Sequence, residues 1–337
     1  MLKRVDRPQT PSCCGSRCAR SRWRDTFSLV ALAGLTTVLV TVVGCGSSGA
    51  STANAYPLGA VSVTGFPTST YLTFWVMQAE HFDSRYGFKL DYVNTTGGGA
   101  LYTPVASGHV DASTILPPLA IEYAANGQAA PGGPLVPVPA FWVVATPDHP
   151  GTAIVARSSI TSLTDLEGKV IATHDVVSGF FLQAETLLAA HGLQINTTSA
   201  QSLHTDTMPF SAMGAALSTD RVQAALMDYI TALKTVSLGQ GHILTAVLGA
   251  PPYTNYDEDS FVFQRTFIQQ HPQSAIALLR AAMQSDYWIL HHEQQAKAML
   301  LDHLGISPTS AASWLADYNL DGFQTDFAVP LAQSTVG

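Results

Sequence analysis

The residues best suited to chemistry sit in hydroxyl- and glycine-rich stretches that follow apolar runs. Between 94 and 118 (NTTGGGALYTPVASGHVDASTILPP) the glycines Gly97, Gly98 and Gly99 follow an alternation of Phe88, Leu90 and Tyr92 and precede a helical pattern of Leu101, Val105 and Ala106. Glycine at a strand-to-helix junction lets backbone N–H groups approach a ligand with no Cβ in the way. Pro67-Thr68-Ser69-Thr70 and Ser178-Gly179 each lead into a further helical pattern, and Thr114 and Leu116 end a short apolar run before Pro117-Pro118. None of these loops holds a lysine or arginine, so an anionic head would be held by N–H groups and hydroxyls at Thr68, Ser69, Gly98, Thr114, Ser178 and Gly179. Thr68 to Thr70 read equally well as plain helix caps. Asp228, followed by Tyr229, suits a cationic or N–H-bearing group, or it caps the helix behind it. Tyr102, Trp142 and Tyr229 are flat enough to stack on a planar ligand, with core packing the alternative for Trp142.

Three other clusters read as inert. His291-His292-Glu293 lacks the i, i+4 spacing that puts two ligating histidines on one helix face, so no metal is expected. His174, Asp175 and Ser178 stand close together without a G-x-S-x-G elbow, so no nucleophilic catalysis is expected there. The acidic run Asp257-Glu258-Asp259 reads as a solvated loop ahead of a helix, favourable to the helix dipole.

Periodicity supplies the elements that must position these residues. Strands are predicted over 61–66, 88–92 and 110–116, with helices over 72–82 and 101–106 between them. Right-handed crossovers in such a β-α-β-α-β order give a parallel sheet whose loops gather at the carboxyl ends of its strands. A helix over 119–126, a Gly- and Pro-rich loop over 127–134 and a strand over 136–145 follow. The grammar then repeats. An extended segment at 151–157 precedes Thr164 and Glu167 at capping-box spacing, a strand over 170–173, the polar loop 174–179 and a helix over 180–191 closed by Gly192. A helix over 211–218, a strand over 222–227 ending before Asp228, a helix over 230–237 and a strand over 243–248 complete the second unit. From Ser260 onward the pattern reads as helical, with helices over 272–290 and 294–304.

Composition bounds the class. Of 337 residues 47% are hydrophobic and 12% charged, which excludes a disordered chain and leaves room for two domains. The net charge of -8 is unevenly spread, since seven basic residues precede position 25 and only nine face 22 acidic ones from Cys45 onward. Phosphate backbones need clustered Lys and Arg, so a nucleic-acid partner is excluded. The basic segment leads into an uncharged apolar run at 26–44 ending in Val42-Val43-Gly44-Cys45, an export signal that resembles a bacterial lipobox. That resemblance implies cleavage before Cys45 and lipidation of its thiol, the alternative being an uncleaved membrane anchor. Both place the body outside the cytoplasm. Cys13, Cys14 and Cys18 fall in the removed segment, leaving no disulfide framework and no cysteine-ligated metal site.

Several stretches also stand in a recognisable order: Phe66-Pro67-Thr68, Tyr86-Gly87-Phe88, Thr96-Gly97-Gly98, Ala106-Ser107-Gly108-His109-Val110-Asp111-Ala112, 160–170 (ITSLTDLEGKV) and 222–229. Across 61–318 the chain resembles the substrate-binding lipoproteins of ABC importers, in the nitrate, sulfonate, taurine and thiamine-pyrimidine-precursor group. The resemblance implies an α/β fold of the two-lobe, type II periplasmic-binding-protein kind, with mostly parallel sheets flanked by helices and a hinge of crossover strands. It implies a signal peptide at 1–44, a tether at 45–58, lobe 1 at 59–150 and 249–337, and lobe 2 at 151–248. The ligand, a small sulfonate-, nitrate- or aminopyrimidine-like molecule, would contact Pro67, Thr68, Ser69, Thr70, Gly97, Gly98, Thr114, Leu116, Trp142, Ser178, Gly179, Asp228 and Tyr229. A monomer delivering that ligand to an ABC permease, with no cofactor and no catalysis, is the role implied. An exported enzyme of the pyrimidine-precursor-synthase type, or a sensor lobe, are the other readings. Two departures fall at ligand-facing positions: Asp228-Tyr229-Ile230 stands where the group often has Trp-Glu-Pro, and Pro67-Thr68-Ser69-Thr70-Tyr71 replaces an Asn- or Ala-rich loop.

Overall fold

The first apolar alternation forms β1 (Ala60–Gly65), with Val61 and Val63 fully buried. The computed structural model describes residues 56–116, 119, 123, 125–127 and 133–325, without the side chains of 139–142. The expected signal segment, Cys45, nearly all of the expected tether and most of the expected helix at 119–126 lie outside the described residues.

β1 pairs in parallel with β2 (Lys89–Asn94) and β3 (Ala112–Ile115). After β4 (Leu135–Ala145) the chain crosses to a second sheet of β5 (Thr152–Ala156), β6 (Val170–Thr173), β7 (His204–Thr207), β8 (Ala224–Asp228) and β9 (His242–Ala246). It returns as β10 (Tyr256–Gln264), which inserts between β3 and β4 and pairs antiparallel with both. The strand orders are β2-β1-β3-β10-β4 and β7-β6-β8-β5-β9. The two sheets therefore share one plan, in which a single strand runs against the rest: β10 in the first, β5 in the second. Each is the strand reached directly after a crossover. The fold is α/β with two lobes and mostly parallel sheets, as the sequence predicts.

β10 corrects two expectations. The chain is not helical from Ser260, and Asp257-Glu258-Asp259 is not a solvated loop. The run lies in a strand that continues into Ser260-Phe261-Val262-Phe263, and Glu258, Asp259 and all four of those residues are buried. Register shifts against β4 fall between Asp257 and Asp259, between Asp259 and Ser260, and between Ser260 and Phe261. Such irregularities break the in-out alternation, which is how consecutive side chains can all turn inward.

The helix expected over 72–82 is α1 (Leu72–Ala79), preceded by a 3-10 turn (Ser69–Tyr71) and followed, past His81 at φ 57, by the short α2 (Phe82–Arg85). Leu72 to Met77 are all buried, because α1 is covered by α8 (Pro272–His291) and α9 (Glu293–His303). Between α1 and α8 the Thr73 hydroxyl donates to buried Asp286 at 2.6 Å. α3 (Gly99–Ala106) follows the triple glycine, and α4 (Gly179–Ala190) ends at Gly192, φ 81, as its C-cap reading requires. The capping box belongs to Ser162 and Asp165 rather than Thr164 and Glu167: Asp165 accepts from the N–H groups of Thr161 and Ser162 at 2.8 and 2.9 Å. β7 (HTDT) escaped periodicity because it is a polar sheet-edge strand with no apolar alternation. α5 (Phe210–Ser218), α6 (Tyr229–Ser237), α7 (Arg265–Gln270) and α10 (Pro308–Ala311) complete the helices among the described residues.

Candidate functional site

The lobes face one another across a cleft of about 710 Å³, lined on one side by Phe66, Pro67 and Thr96 and on the other by His174, Phe210 and Thr231. Pro67 is exposed at its edge. Deeper in, the lobes touch. The Gly99 N–H at the start of α3 donates to Asp175 Oδ2 of the second lobe at 3.1 Å. A Cβ on Gly98, which has φ +57, would fall 1.7 Å from that same oxygen, so only glycine permits this approach. On the other side of the contact a Cβ on Gly179 would fall 2.7 Å from the Leu116 Cβ. Gly97, Gly98, Leu116 and Gly179 thus lie where the lobes meet, but the helix N-terminus expected to hold a ligand anion already faces a protein carboxylate. Ser178 is likewise engaged: its hydroxyl accepts from the Phe181 N–H at 3.2 Å as the α4 N-cap and donates to the Asp175 carbonyl at 3.1 Å. His174 lies between Phe66, with ring centroids 5.6 Å apart, and Phe210, and burial pulls its imidazole down to about 4, so it is neutral.

A second polar group forms around β10. Glu258 accepts from the Thr70 hydroxyl at 3.1 Å, and the backbone of Gly151 in the first crossover runs so close that a Cβ there would be 2.8 Å from Glu258 Oε2. Burial pushes the Glu258 carboxyl up to about 7, the Thr70 hydrogen bond opposes this, and the charge of Asp228 adds to it. Asp228 ends β8 and caps α6: Oδ1 accepts from the Thr231 N–H at 3.2 Å, while buried Oδ2 has no partner. Its carboxyl is pushed up to about 6, again by burial. The cap reading of Asp228 therefore holds for one oxygen, and the other is left over.

Asp259 is held well above the usual carboxylate range by burial first and by Glu258 second, with a hydrogen bond from Thr114 opposing. Thr114 Oγ1 also meets the Tyr71 hydroxyl at 2.6 Å, so a chain Tyr71–Thr114–Asp259 runs through the first lobe, with Tyr102 beside its end. Tyr71, Tyr102, Phe66, Leu116 and His174 wall the narrow slot that Asp259 faces.

Some of the buried polar atoms without hydrogen bonds lie elsewhere, such as Asp286 Oδ2 and Arg265 Nη2, but four belong to residues of this region: Asp228 Oδ2 and the hydroxyls of Thr68, Thr152 and Tyr318. Thr152 is the cross-strand partner of Asp228, which puts both side chains on one face of the sheet. The Tyr318 hydroxyl faces Ser69, Glu258, Asp228 and half-buried Tyr229. It is held there by His149 of the first crossover, whose ring packs on Tyr318 and whose Nδ1–H donates to the Asn319 carbonyl. Thr68 precedes Ser69 and caps nothing with its side chain. Each buried polar group left unpaired costs about 1–3 kcal/mol, so four in one neighbourhood is an arrangement that folding alone does not favour. Among the described residues no three His, Cys, Asp or Glu side chains converge closely enough to hold a metal ion.

Of the residues singled out from the sequence, Thr68, Ser69, Thr70, Asp228 and Tyr229 lie in the group around Glu258, and Gly97, Gly98, Thr114, Leu116, Ser178 and Gly179 lie at the slot or the lobe contact beside it. Trp142 belongs to β4, and its side chain lies outside the described residues. Glu258, Asp259, Tyr318 and Thr152 were missed, and Tyr71 entered only as the end of the first ligand-facing loop. Ser260-Phe261-Val262-Phe263, apolar and rich in strand formers, was the available signal for β10; Tyr318 carried none.

A model of the NMT1-like family matches residues 55–302. The chain belongs to that family. No curated protein sequence matches it. The fold of this NMT1-like chain is similar to that of the alkanesulfonate-binding protein SsuA from Xanthomonas axonopodis pv. citri bound to MOPS, at TM-score 0.61 and 18% identity over 78% of this chain and 84% of that one. It is similar also to the periplasmic aliphatic sulphonate binding protein SsuA from Escherichia coli, at TM-score 0.55 and 16% identity over 77% and 78%. The periplasmic nitrate-binding protein NrtA from Synechocystis PCC 6803 gives TM-score 0.57 and 15% identity over 74% and 68%. These likenesses establish the two-lobe architecture for the NMT1-like chain, and the neighbours named are binding proteins.

Proposed function

We propose that this chain is the exported solute-binding component of an ABC importer, capturing one small polar molecule between its lobes and presenting it to a membrane permease. The observation that carries the reading is the set of unpaired buried polar atoms supplied by both lobes, Thr68 and Tyr318 from one side and Thr152 and Asp228 from the other. A ligand bridging them stabilises the closed arrangement, and the permease reads that state. The names of the neighbours support the role: sulfonate- and nitrate-binding proteins described as periplasmic. Sulfonate-, nitrate- and aminopyrimidine-like molecules are the range from which the ligand is drawn. Cys45, lipidated after removal of the signal, tethers a monomer to the outer face of the membrane. Catalysis is not part of the reading, since Ser178 is spent on a helix cap and His174 has no hydroxyl or thiol activated beside it.

The test is the protein's own cargo. The full chain, purified from the cells that make it and denatured, should release one small molecule per chain, and cells lacking the gene should fail to import that molecule. Gly98→Val sets a side chain against Asp175 and should cut retention of the cargo more than tenfold. A protein that releases nothing and whose loss leaves import unchanged would defeat the proposal, as would one that converts the molecule.

A further inference from the structure

We infer that the molecule bound between the lobes is a small organic cation carrying several N–H groups, such as an amine, an amidine or a protonated amino-heterocycle, held by Asp228, Glu258 and Asp259. The inference rests on the solute-binding reading and narrows it to a ligand class.

Charge decides the sign. All three carboxyls are buried, and the ion pairs among the described residues (Lys89–Asp91, Arg157–Asp220, Arg221–Asp206 and Lys297–Glu293) include none of them. Buried carboxylates are ordinarily paired or bound to a cation, because desolvation penalises the bare charge heavily. Here Asp228 comes from the second lobe while Glu258 and Asp259 come from the first, so lobe closure brings like charges together. A cation between them converts that repulsion into attraction and so supplies a driving force for closure. An anion would find the reverse beside these carboxyls: the Gly99 N–H is given to Asp175 and the Ser178 hydroxyl to its helix, while Lys234, which lines the wider cleft, is not among the groups acting on Asp228, Glu258 or Asp259.

Shape separates an organic cation from a metal ion. The three carboxyls do not converge as a metal site would, and they are interleaved with hydroxyls of Thr68, Thr152 and Tyr318 that are buried and unpaired. Spread acceptors suit a ligand with N–H groups at more than one point. The slot that Asp259 faces, about 10 Å³ and walled by Phe66, Tyr71 and Tyr102, has room for one N–H-bearing end of such a ligand, the body of which lies outside it.

Binding should carry a pH signature. The groups facing the carboxyls are Thr70, Tyr318 and Tyr229 around Glu258 and Asp228, and Tyr71, Tyr102 and Thr114 around Asp259. Burial raises the tyrosines, so below pH 9 only the carboxyls among these groups change charge. With Asp228 near 6 and Glu258 near 7, cation affinity should rise as pH rises from 5.5 to 8, accompanied by proton release.

The experiment is calorimetric titration of the full chain in detergent with two sets of probes. One set is butane-1,4-diamine, benzamidine and 4-aminopyridine, all cationic at pH 8; the other is ethanesulfonate and nitrate. A probe of the first set should bind saturably at pH 8. It should weaken tenfold or more in Glu258→Gln and in Asp228→Asn, the latter keeping the helix cap because Asn also caps well. Both variants should melt at higher temperature than the parent when no ligand is added, since each removes buried charge. Silence of the whole first set at pH 8, affinity unchanged in both variants, or a lower melting temperature in both would overturn the inference. Tight binding of ethanesulfonate or nitrate, lost in Gly98→Val, would overturn it too while leaving the solute-binding role intact; failure of that role shows separately, as a chain that carries no cargo and supports no import.

Discussion

β5 and β10 occupy the same place in their sheets, each the one strand opposed to its neighbours and each entered from a crossover. Their chemistry differs sharply. β5 (TAIVA) has every residue buried, and apart from Thr152 at its start it is apolar. β10 begins Tyr-Asp-Glu-Asp and becomes apolar only after Ser260. One topological position therefore serves as plain core in one lobe and as a carrier of buried charge in the other. Core strands need no carboxylates, and burying them opposes folding, so the second strand has been given a task beyond holding its sheet together.

Substitutions on the two strands should move stability in opposite directions. The largest effect belongs to β5. Ile154→Ala removes most of a fully buried side chain and should cost about 2–5 kcal/mol in urea unfolding, with the ligand class unchanged. Glu258→Gln on β10 should instead raise stability near pH 8 by roughly 1–3 kcal/mol while weakening ligand binding. A loss of stability there comparable to that of Ile154→Ala would erase the distinction between the strands.

The pH dependence sharpens the same contrast. Asp228 and Glu258 have folded-state values raised to about 6 and about 7, above those of an unfolded chain. The folded protein thus binds more protons than the unfolded one between about pH 4 and 7. Their contribution is fully present below pH 4 and is lost as pH rises through 6 and 7. Melting curves of the unliganded protein should place it as more stable at pH 5 than at pH 8 by a few kcal/mol at most, and the slope should flatten in Asp228→Asn and Glu258→Gln but persist in Ile154→Ala. A smaller effect separates the two roles of Asp228: Asp228→Ala should be about 1 kcal/mol less stable than Asp228→Asn, because only the asparagine still accepts from the Thr231 N–H.

Much of the fold was legible because its signals are local. The alternation in β1, the strand-to-helix junction at Gly97 to Gly99 and the Gly192 cap each follow from a few adjacent residues. Asp228 was legible for the same reason, since an acid between an apolar strand and a helix has few places to go. The site as a whole was not. Thr70 and Glu258 are 188 positions apart, and the contact between Gly99 and Asp175 spans 76. No periodicity encodes such distances. The sequence also suggested an anion site at the start of α3 and at Ser178, where the structure has a carboxylate and a helix cap in place, because whether a donor is free depends on what packs against it.

What the sequence determined by itself was the two-fold repetition of strand, polar loop and helix, and with it the two-lobe α/β class. Hydrophobic period and glycine placement act over a turn or two of chain, and they suffice for that. Only the tertiary structure decided that Asp257-Glu258-Asp259 enters a buried strand. Locally three acids favour water, but the slot between β3 and β4 must be filled by a strand for its backbone groups to be paired. The returning crossover delivers this segment and no other. Backbone pairing and the apolar Phe261-Val262-Phe263 that follows outweigh the desolvation of the carboxyls, and the cost left over is what a ligand between the lobes can relieve.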